Sequence, residues 1–164
     1  MSARIDHASS THLVASLPDL FVVAFVGEPP AAAVEAQERA LAEFVVRTRA
    51  PRAYLQLASL GAGEGGRTES IRATHTRLAQ RHRKDIHTAA LVLSQSGFGG
   101  AVVRGVLTGI GMAVRDVKIR AFGELDAALT WTNEERVSTR ASPLPSDTGR
   151  QIRQLLRDTG HVLS

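Results

Sequence analysis

Residues 89–114, AALVLSQSGFGGAVVRGVLTGIGMAV, constrain the fold more than any other stretch of this sequence. The run 89–93 is apolar without a break, which is typical of a strand that is covered on both faces. A turn rich in glycine and serine follows, and apolar residues then recur with helical spacing from Val103 to Val114. A strand, a turn and a helix in this order form one unit of an open α/β sheet. The stretch therefore predicts a fold class, although it discloses neither a reaction nor a ligand.

The rest of the chain alternates between strand and helix patterns. Two β-rich runs are separated by Pro18 and Asp19, which predicts a hairpin, and the second run is apolar throughout and belongs at the centre of the sheet. Strands are predicted at 11–17, 20–27, 53–60, 89–93 and 117–122, and helices at 31–48, 68–84, 101–114, 124–132 and 147–159. Because strands alternate with helices, we expect an α/β fold with a mixed, mostly parallel sheet of about five strands flanked by helices.

Composition divides the chain into four parts. Residues 1–10 are small and polar, so we expect a flexible N-terminus, and residues 11–133 form the α/β domain. Residues 134–146 are polar, contain two prolines and are expected to be a linker. Residues 147–160 are expected to be a C-terminal helix that is capped by Ser146 and ended by Gly160. The apolar face of this helix is a candidate for interaction with another protein or with its own domain, and it consists of Ile152, Leu155 and Leu156.

Bulk composition excludes several classes of protein. The formal net charge of +4 is compatible with nucleic-acid binding, but aromatic residues do not interleave with the basic ones and a base-stacking surface is not expected. No apolar run approaches the ~20 residues of a membrane span, and the N-terminus lacks the apolar core of a secretory signal. The chain has no cysteine, which excludes disulfides and thiol catalysis and fits a reducing cytoplasm.

Two stretches near the end of the domain carry a family resemblance. AALVLSQSGFGGAVVRGVLTGIG is followed by VKIRAFGELDAALTW, in which Phe122 precedes the pair Ala127 and Ala128, then Leu129 and Trp131. Together with the order of strands and helices, these stretches resemble the STAS domain of anti-sigma-factor antagonists and sulfate-transporter tails, and the broader SpoIIAA-like group. The resemblance covers roughly residues 11–133. It implies a non-catalytic module that acts by binding another protein or itself, as a homodimer.

The signalling motif of the STAS family is incomplete here. In the family, an Asp-x-Ser and an Asp-Ser-Ser-Gly turn follow the third strand, and a serine is phosphorylated at a helix N-terminus, where free N–H groups and the helix dipole stabilise the phosphate. In this chain residues 57–59 read Leu-Ala-Ser and residues 61–70 read GAGEGGRTES, so both acids are missing. Thr68 and Ser70 are the remaining phosphorylation candidates, and the sequence does not select between them.

Two glycine-rich turns follow predicted strands, and in open α/β sheets that edge hosts ligands. Gly61, Gly63 and Gly66 form a literal GxGxxG, but no acid follows the next strand, so a dinucleotide cofactor is not expected. The second hypothesis is a small-molecule or lipid carrier that uses these loops; ordinary turn geometry is the alternative. The candidate ligand or anion site consists of Gly61, Gly63, Gly66, Thr68, Ser94, Ser96 and Gly99.

Two further patterns are candidates for association. Gly105 and Gly109 lie four residues apart on a predicted helix, which allows either tight internal packing or self-association. Arg77, Arg81 and Lys84 form a basic stripe, which is either a solvated face or a docking site for an acidic protein partner.

Catalytic and metal chemistry lack candidate residues. His75, His82 and His87 have neither HExxH spacing nor a carboxylate-rich partner set, so no metal site is expected. No serine has the context of a nucleophile elbow, and no acid–base pair stands out. We therefore do not expect an enzyme or a bound cofactor.

Overall fold

The strands form one continuous sheet whose members follow one another in chain order. The computed structural model describes residues 3–27, 30–49, 51–59, 68–93 and 116–161, with backbone alone at 68–72, 74 and 75. The strands are β1 (Arg4–Ala8), β2 (His12–Leu17), β3 (Leu20–Val26), β4 (Arg52–Ser59), β5 (Ile86–Leu93) and β6 (Lys118–Phe122). The helices are α1 (Ala31–Arg47), α2 (Thr68–Arg81), α3 (Leu125–Ser138) and α4 (Thr148–Asp158). The predicted helix at 101–114 lies outside the described residues.

The sheet is mixed, as its sequence pattern predicts. Its order is β1-β2-β3-β4-β5-β6, with antiparallel pairing from β1 to β3 and parallel pairing from β3 to β6. The apolar strand β3 lies between β2 and β4, where Leu20 is paired with Leu17 on one side and Ala53 on the other. The α/β fold class, the hairpin and the central place of β3 are therefore confirmed, and β6 is an edge strand as its alternating pattern predicts.

Both faces of the sheet are covered, each by a different pair of helices. Successive side chains of a strand point to opposite faces. On one face Phe21 and Val23 pack in a cluster with Phe44 of α1 and Leu78 of α2. On the other face the alternate strand residues pack with the second pair of helices, and this cluster includes Val22, Leu55, Trp131 of α3 and Ile152 of α4.

The N-terminal prediction is wrong, because residues Arg4–Ala8 of the expected flexible segment form the edge strand β1. The buried carboxylate of Asp6 holds this strand to its neighbours: Ser16 Oγ donates to Asp6 Oδ2 at 2.8 Å, and Arg4 Nε lies 2.8 Å from Asp6 Oδ1. Arg4 also reaches Glu43 of α1 at 3.2 Å. Strand β1 is held by ion pairs and by backbone pairing with β2. It therefore does not need the alternating apolar residues by which a strand is recognised in a sequence.

The predicted linker is also wrong, since α3 continues to Ser138 and the residues after it pack against the domain. The guanidinium of Arg136, whose side chain is 4% exposed, joins three segments. It donates to the carbonyls of Ser142 and Pro51 at 2.9 Å each and pairs with Asp19 at 3.0 Å. The polar composition of residues 134–146 therefore does not mark a linker, because the charged side chain of Arg136 binds carbonyls inside the fold.

The C-terminal helix packs onto its own domain. Its apolar face, Ile152, Leu155 and Leu156, lies in the core cluster of the α3 face. Gly160 ends the helix with φ of +73°, as predicted, but the N-cap residue is Asp147 and not Ser146. The sequence left open whether this face docks on its own domain or on a partner, and in the folded chain it is buried internally.

Replacing Arg136 should strongly destabilise the fold. In Arg136→Met the carbonyls of Pro51 and Ser142 lose their charged donor, so we expect the free energy of unfolding to fall by about 2–4 kcal/mol in urea denaturation. The control is Arg140→Met just after α3, because Arg140 is exposed and the substitution at this position leaves its backbone conformation, with φ of +61°, equally strained for arginine and for methionine. Equal losses in the two variants would contradict the role of Arg136.

The tail helix should behave as part of the core. Ile152 has 0% exposure, so Ile152→Ala should lower the free energy of unfolding by about 2–4 kcal/mol. Val137→Ala is the matched truncation at a side chain that is 57% exposed, and its effect should stay within about 0.5 kcal/mol. If the Ile152 variant unfolds like the wild type, α4 does not contribute to the stability of the domain.

Candidate functional site

The two turns predicted to bind a ligand start from adjacent strand ends. Strands β4 and β5 are parallel neighbours, and Ala58 is paired with Leu93 near the carboxyl edge of the sheet. The turn residues Gly61, Gly63, Gly66, Ser94, Ser96 and Gly99 lie outside the described residues. Ligand binding by these turns therefore stays a prediction.

The phosphorylation candidates lie at the beginning of α2. The helix starts at Thr68, and Ser70 is in its first turn, although their side chains are outside the described set. Because α2 connects two parallel strands, it runs back from the carboxyl edge and places both residues at that edge. Phosphorylation stays a prediction, and so does association through Gly105 and Gly109, which are outside the described residues.

The predicted basic stripe lies on the exposed side of α2 and partly faces α1. The guanidinium groups of Arg77 and Arg81 lie 3.8 and 3.9 Å from the same oxygen of Glu38. Their side chains are 65% and 68% exposed, so each contact contributes little to stability. Lys84 lies in the turn after α2, is exposed, and forms no ion pair within the described ranges.

Arg52 joins the ends of the two helices on this side of the sheet. This side chain is 9% exposed, and its guanidinium donates to the carbonyls of Val45 and Thr48 at the end of α1. It also donates to Thr48 Oγ1 at 2.8 Å and to the carbonyl of Asp85, in the turn after α2, at 3.4 Å. Arg52 does not stand out in the sequence, because an arginine at the start of a strand does not reveal that its side chain turns back to a helix end.

A small cavity lies on the same face of the sheet, and the sequence pattern did not reveal it. Its volume is about 60 Å³, and its described lining comes from α1, α2 and strands β4 to β6. Leu41, Leu91 and Ile119 are among its apolar lining residues, and Tyr54 and His82 contribute polar groups. Because five elements contribute to this lining, the cavity can be identified only from the folded structure.

The phenol of Tyr54 is held by two glutamines. Gln37 Nε2 donates to the Tyr54 hydroxyl at 2.9 Å, and the hydroxyl lies 3.2 Å from Gln56 Oε1, to which it donates. Burial raises the pKa of Tyr54, and the bond from Gln37 opposes that rise. The hydroxyl is therefore neutral in the physiological range and serves as a hydrogen-bonding group at the cavity wall.

The imidazole of His82 borders the cavity and faces Asp85. Its Nδ1 lies 3.7 Å from Asp85 Oδ2. Burial lowers the pKa of His82, while the negative charge of Asp85 opposes that shift. Within the described part of the chain, no group of three histidines or carboxylates is arranged to hold a metal ion.

No helix among the described segments is long and apolar enough to span a bilayer.

The free energy of unfolding should decrease as the pH falls from 7.5 to 5.5. Burial is the main cause of the lowered pKa of both His82 and His161, so the folded state holds them neutral, whereas in the unfolded chain they protonate near pH 6.5. The unfolded state then binds more protons, and the stability present above about pH 6.5 is lost as the pH falls through the folded pKa values. Urea denaturation at constant ionic strength measures the slope, which should be smaller in His82→Gln/His161→Gln. If the double variant shows the same dependence of unfolding free energy on pH as the wild type, groups other than His82 and His161 cause that dependence.

Comparison of the chain with protein-family models, with curated proteins and with solved structures finds no match. The resemblance to the STAS family therefore rests on the order of elements and on the residues between Ala89 and Trp131.

Proposed function

We propose that this chain is a non-catalytic, STAS-like regulatory module that acts by binding another protein or a second copy of itself. The observation that carries the proposal is the topology. A hairpin leads into parallel strands β3 to β6 in chain order, with α1 and α2 against one face and α3 and α4 against the other. The order from β2 to α3 is compatible with the one that the STAS resemblance implies, although β1 is an addition to it and the helix expected between β5 and β6 lies outside the described residues.

The use of buried charge supports binding over catalysis. Arg52 joins α1 to the turn after α2, Arg136 joins α3 to the strand ends, and Asp6 holds β1 to β2. A catalytic acid or base must be able to reach the proton that it transfers to or from a substrate. These three side chains are instead engaged with the chain itself.

The proposal includes a cytoplasmic location and regulation at the start of α2. The chain has no cysteine, which is compatible with a reducing compartment. A phosphate on Thr68 or Ser70 would lie in the first turn of α2, where the free N–H groups and the dipole of the helix favour negative charge. Such a modification would change the charge of the carboxyl edge of the sheet.

The second candidate function is that of a carrier for a small apolar molecule. The cavity lined by Leu41, Leu91 and Ile119 favours it, and Tyr54 and His82 add polar groups to the wall. Its volume of about 60 Å³ is well below the ~150 Å³ of an engineered cavity that binds benzene. The described cavity thus suits a ligand of a few heavy atoms better than a lipid chain.

A crosslinking pull-down with the full chain should recover a protein partner, and light scattering should detect a dimer if the partner is a second copy. The interaction must be reproduced with purified components. Native mass spectrometry of the freshly purified chain tests the carrier function. A monomer that binds no purified protein and carries a stoichiometric small molecule would replace the first proposal with the second.

A further inference from the structure

We propose that the amino edge of the sheet, between the ends of α1 and α2, docks an acidic segment of a protein partner. The surface is a basic rim, defined as Arg49, Arg81, Arg83 and Lys84. The inference rests on the proposed protein-binding function and assigns a place and a chemistry to it.

The rim is one surface because Arg52 ties its two halves together. Its guanidinium donates to the carbonyl of Val45 at 2.6 Å and to that of Asp85 at 3.4 Å. Arg49 follows the C-cap residue of α1, and Arg83 and Lys84 lie in the turn that contains Asp85. The exposed cations that follow two separate helices therefore lie on neighbouring turns.

The rim charges are not needed to complete the helix ends. The carbonyl of Phe44 accepts from the Thr48 hydroxyl at 2.6 Å, and the carbonyl of Val45 accepts from Arg52. At the end of α2 the carbonyl of Leu78 accepts from the His82 N–H at 3.0 Å. Since backbone and buried donors already bind these carbonyls, the exposed cations are available to a partner.

The four rim cations outnumber the three carboxylates described near them, which are Glu38, Asp85 and Asp116, the last preceding β6 at the same edge. Arg81 lies 3.9 Å from a carboxylate oxygen of Glu38, and Arg77 contacts the same oxygen. Asp85 Oδ2 lies 3.7 Å from His82 Nδ1, and burial lowers the pKa of that imidazole, so His82 adds no positive charge to the surface at physiological pH. Beneath the rim, the buried guanidinium of Arg52 binds carbonyls and a hydroxyl, so among the described residues its charge is balanced by dipoles and not by a carboxylate.

This charge pattern suits an acidic protein segment better than a nucleic acid. Glu38 and Asp85 lie among the cations, so a uniformly charged phosphate backbone would meet repulsion that discrete carboxylates can avoid. Proteins that bind single-stranded nucleic acids also stack the bases on exposed aromatic side chains. Tyr54, the aromatic residue of β4, instead stacks on Phe21 at a centroid distance of 5.9 Å and bonds to Gln37.

The test uses a fluorescently labelled peptide of about ten residues, in which glutamate alternates with glycine, as the probe and measures its anisotropy with the full chain. The variant Arg49→Glu/Arg83→Glu/Lys84→Glu should weaken binding by about tenfold or more, because it reverses the local potential. The control Arg140→Glu/Arg150→Glu/Arg157→Glu makes the same change in net charge at exposed positions elsewhere and should change binding by less than about threefold. Equal losses in both variants would reduce the effect to net charge and overturn the proposal.

Two further measurements keep the outcome decisive. If the charge-reversed rim fails to fold, as judged by circular dichroism, Arg49→Gln/Arg83→Gln/Lys84→Gln is used and should still weaken binding more than the matched glutamine control. An oligothymidylate of equal length is titrated in parallel, and tighter rim-dependent binding of that probe would overturn the choice of an acidic protein. If the wild type and the rim variant bind a purified protein partner equally well, the rim is not the docking surface, but the proposed protein-binding function stands. If the wild type binds no partner at all, the proposed function is refuted.

Discussion

Strand β3 must be shielded from water on both faces, and most of the architecture follows from that constraint. Its first six residues are buried, and they include Phe21 and Phe25 on one face and Leu20 and Val22 on the other. Each fully buried side chain of this size contributes about 1.5–3 kcal/mol, so neither face can remain exposed. The helices α1 and α2 cover one face, and the last two helices cover the other. The C-terminal residues are therefore part of the same core and not an appendage.

Two buried guanidinium groups complete the amino edge of this sheet. Arg52 binds the end of α1 and the turn after α2, while Arg136 binds the hairpin turn, the start of β4 and the segment after α3. An arginine can reach several carbonyls at once because its planar group carries five donors. Segments without strong secondary structure are thereby held at fixed positions, and the charge of both groups remains at this edge.

The two ends of the sheet offer different chemistry. The carboxyl edge is where β4 and β5 end and where α2 begins with Thr68. The amino edge carries the basic rim and the buried charge of Arg52. A helix of 14 residues separates them by about 21 Å, which exceeds the screening length of ~8 Å at physiological salt. A charge added at one edge would therefore have little direct electrostatic effect on the other, so the proposed phosphorylation site and the proposed docking surface are electrostatically separate.

The linear pattern determined the elements whose own residues carry the signal. The apolar run of β3, the hairpin at Pro18 and Asp19, the amphipathic α1 and the stop at Gly160 all depend on local periodicity or backbone preference, which a sequence displays directly. Tertiary structure alone decided that residues 4–8 form an edge strand, that residues 134–138 continue a helix, and that α4 buries its apolar face on its own domain. It also decided the partners of Arg52 and Arg136, because these bonds join residues that are distant in the chain. A polar composition predicts a solvent-exposed segment, because a sequence does not show which carbonyls and opposite charges the fold brings close to it. For this reason the predictions for residues 1–10 and 134–146 were wrong.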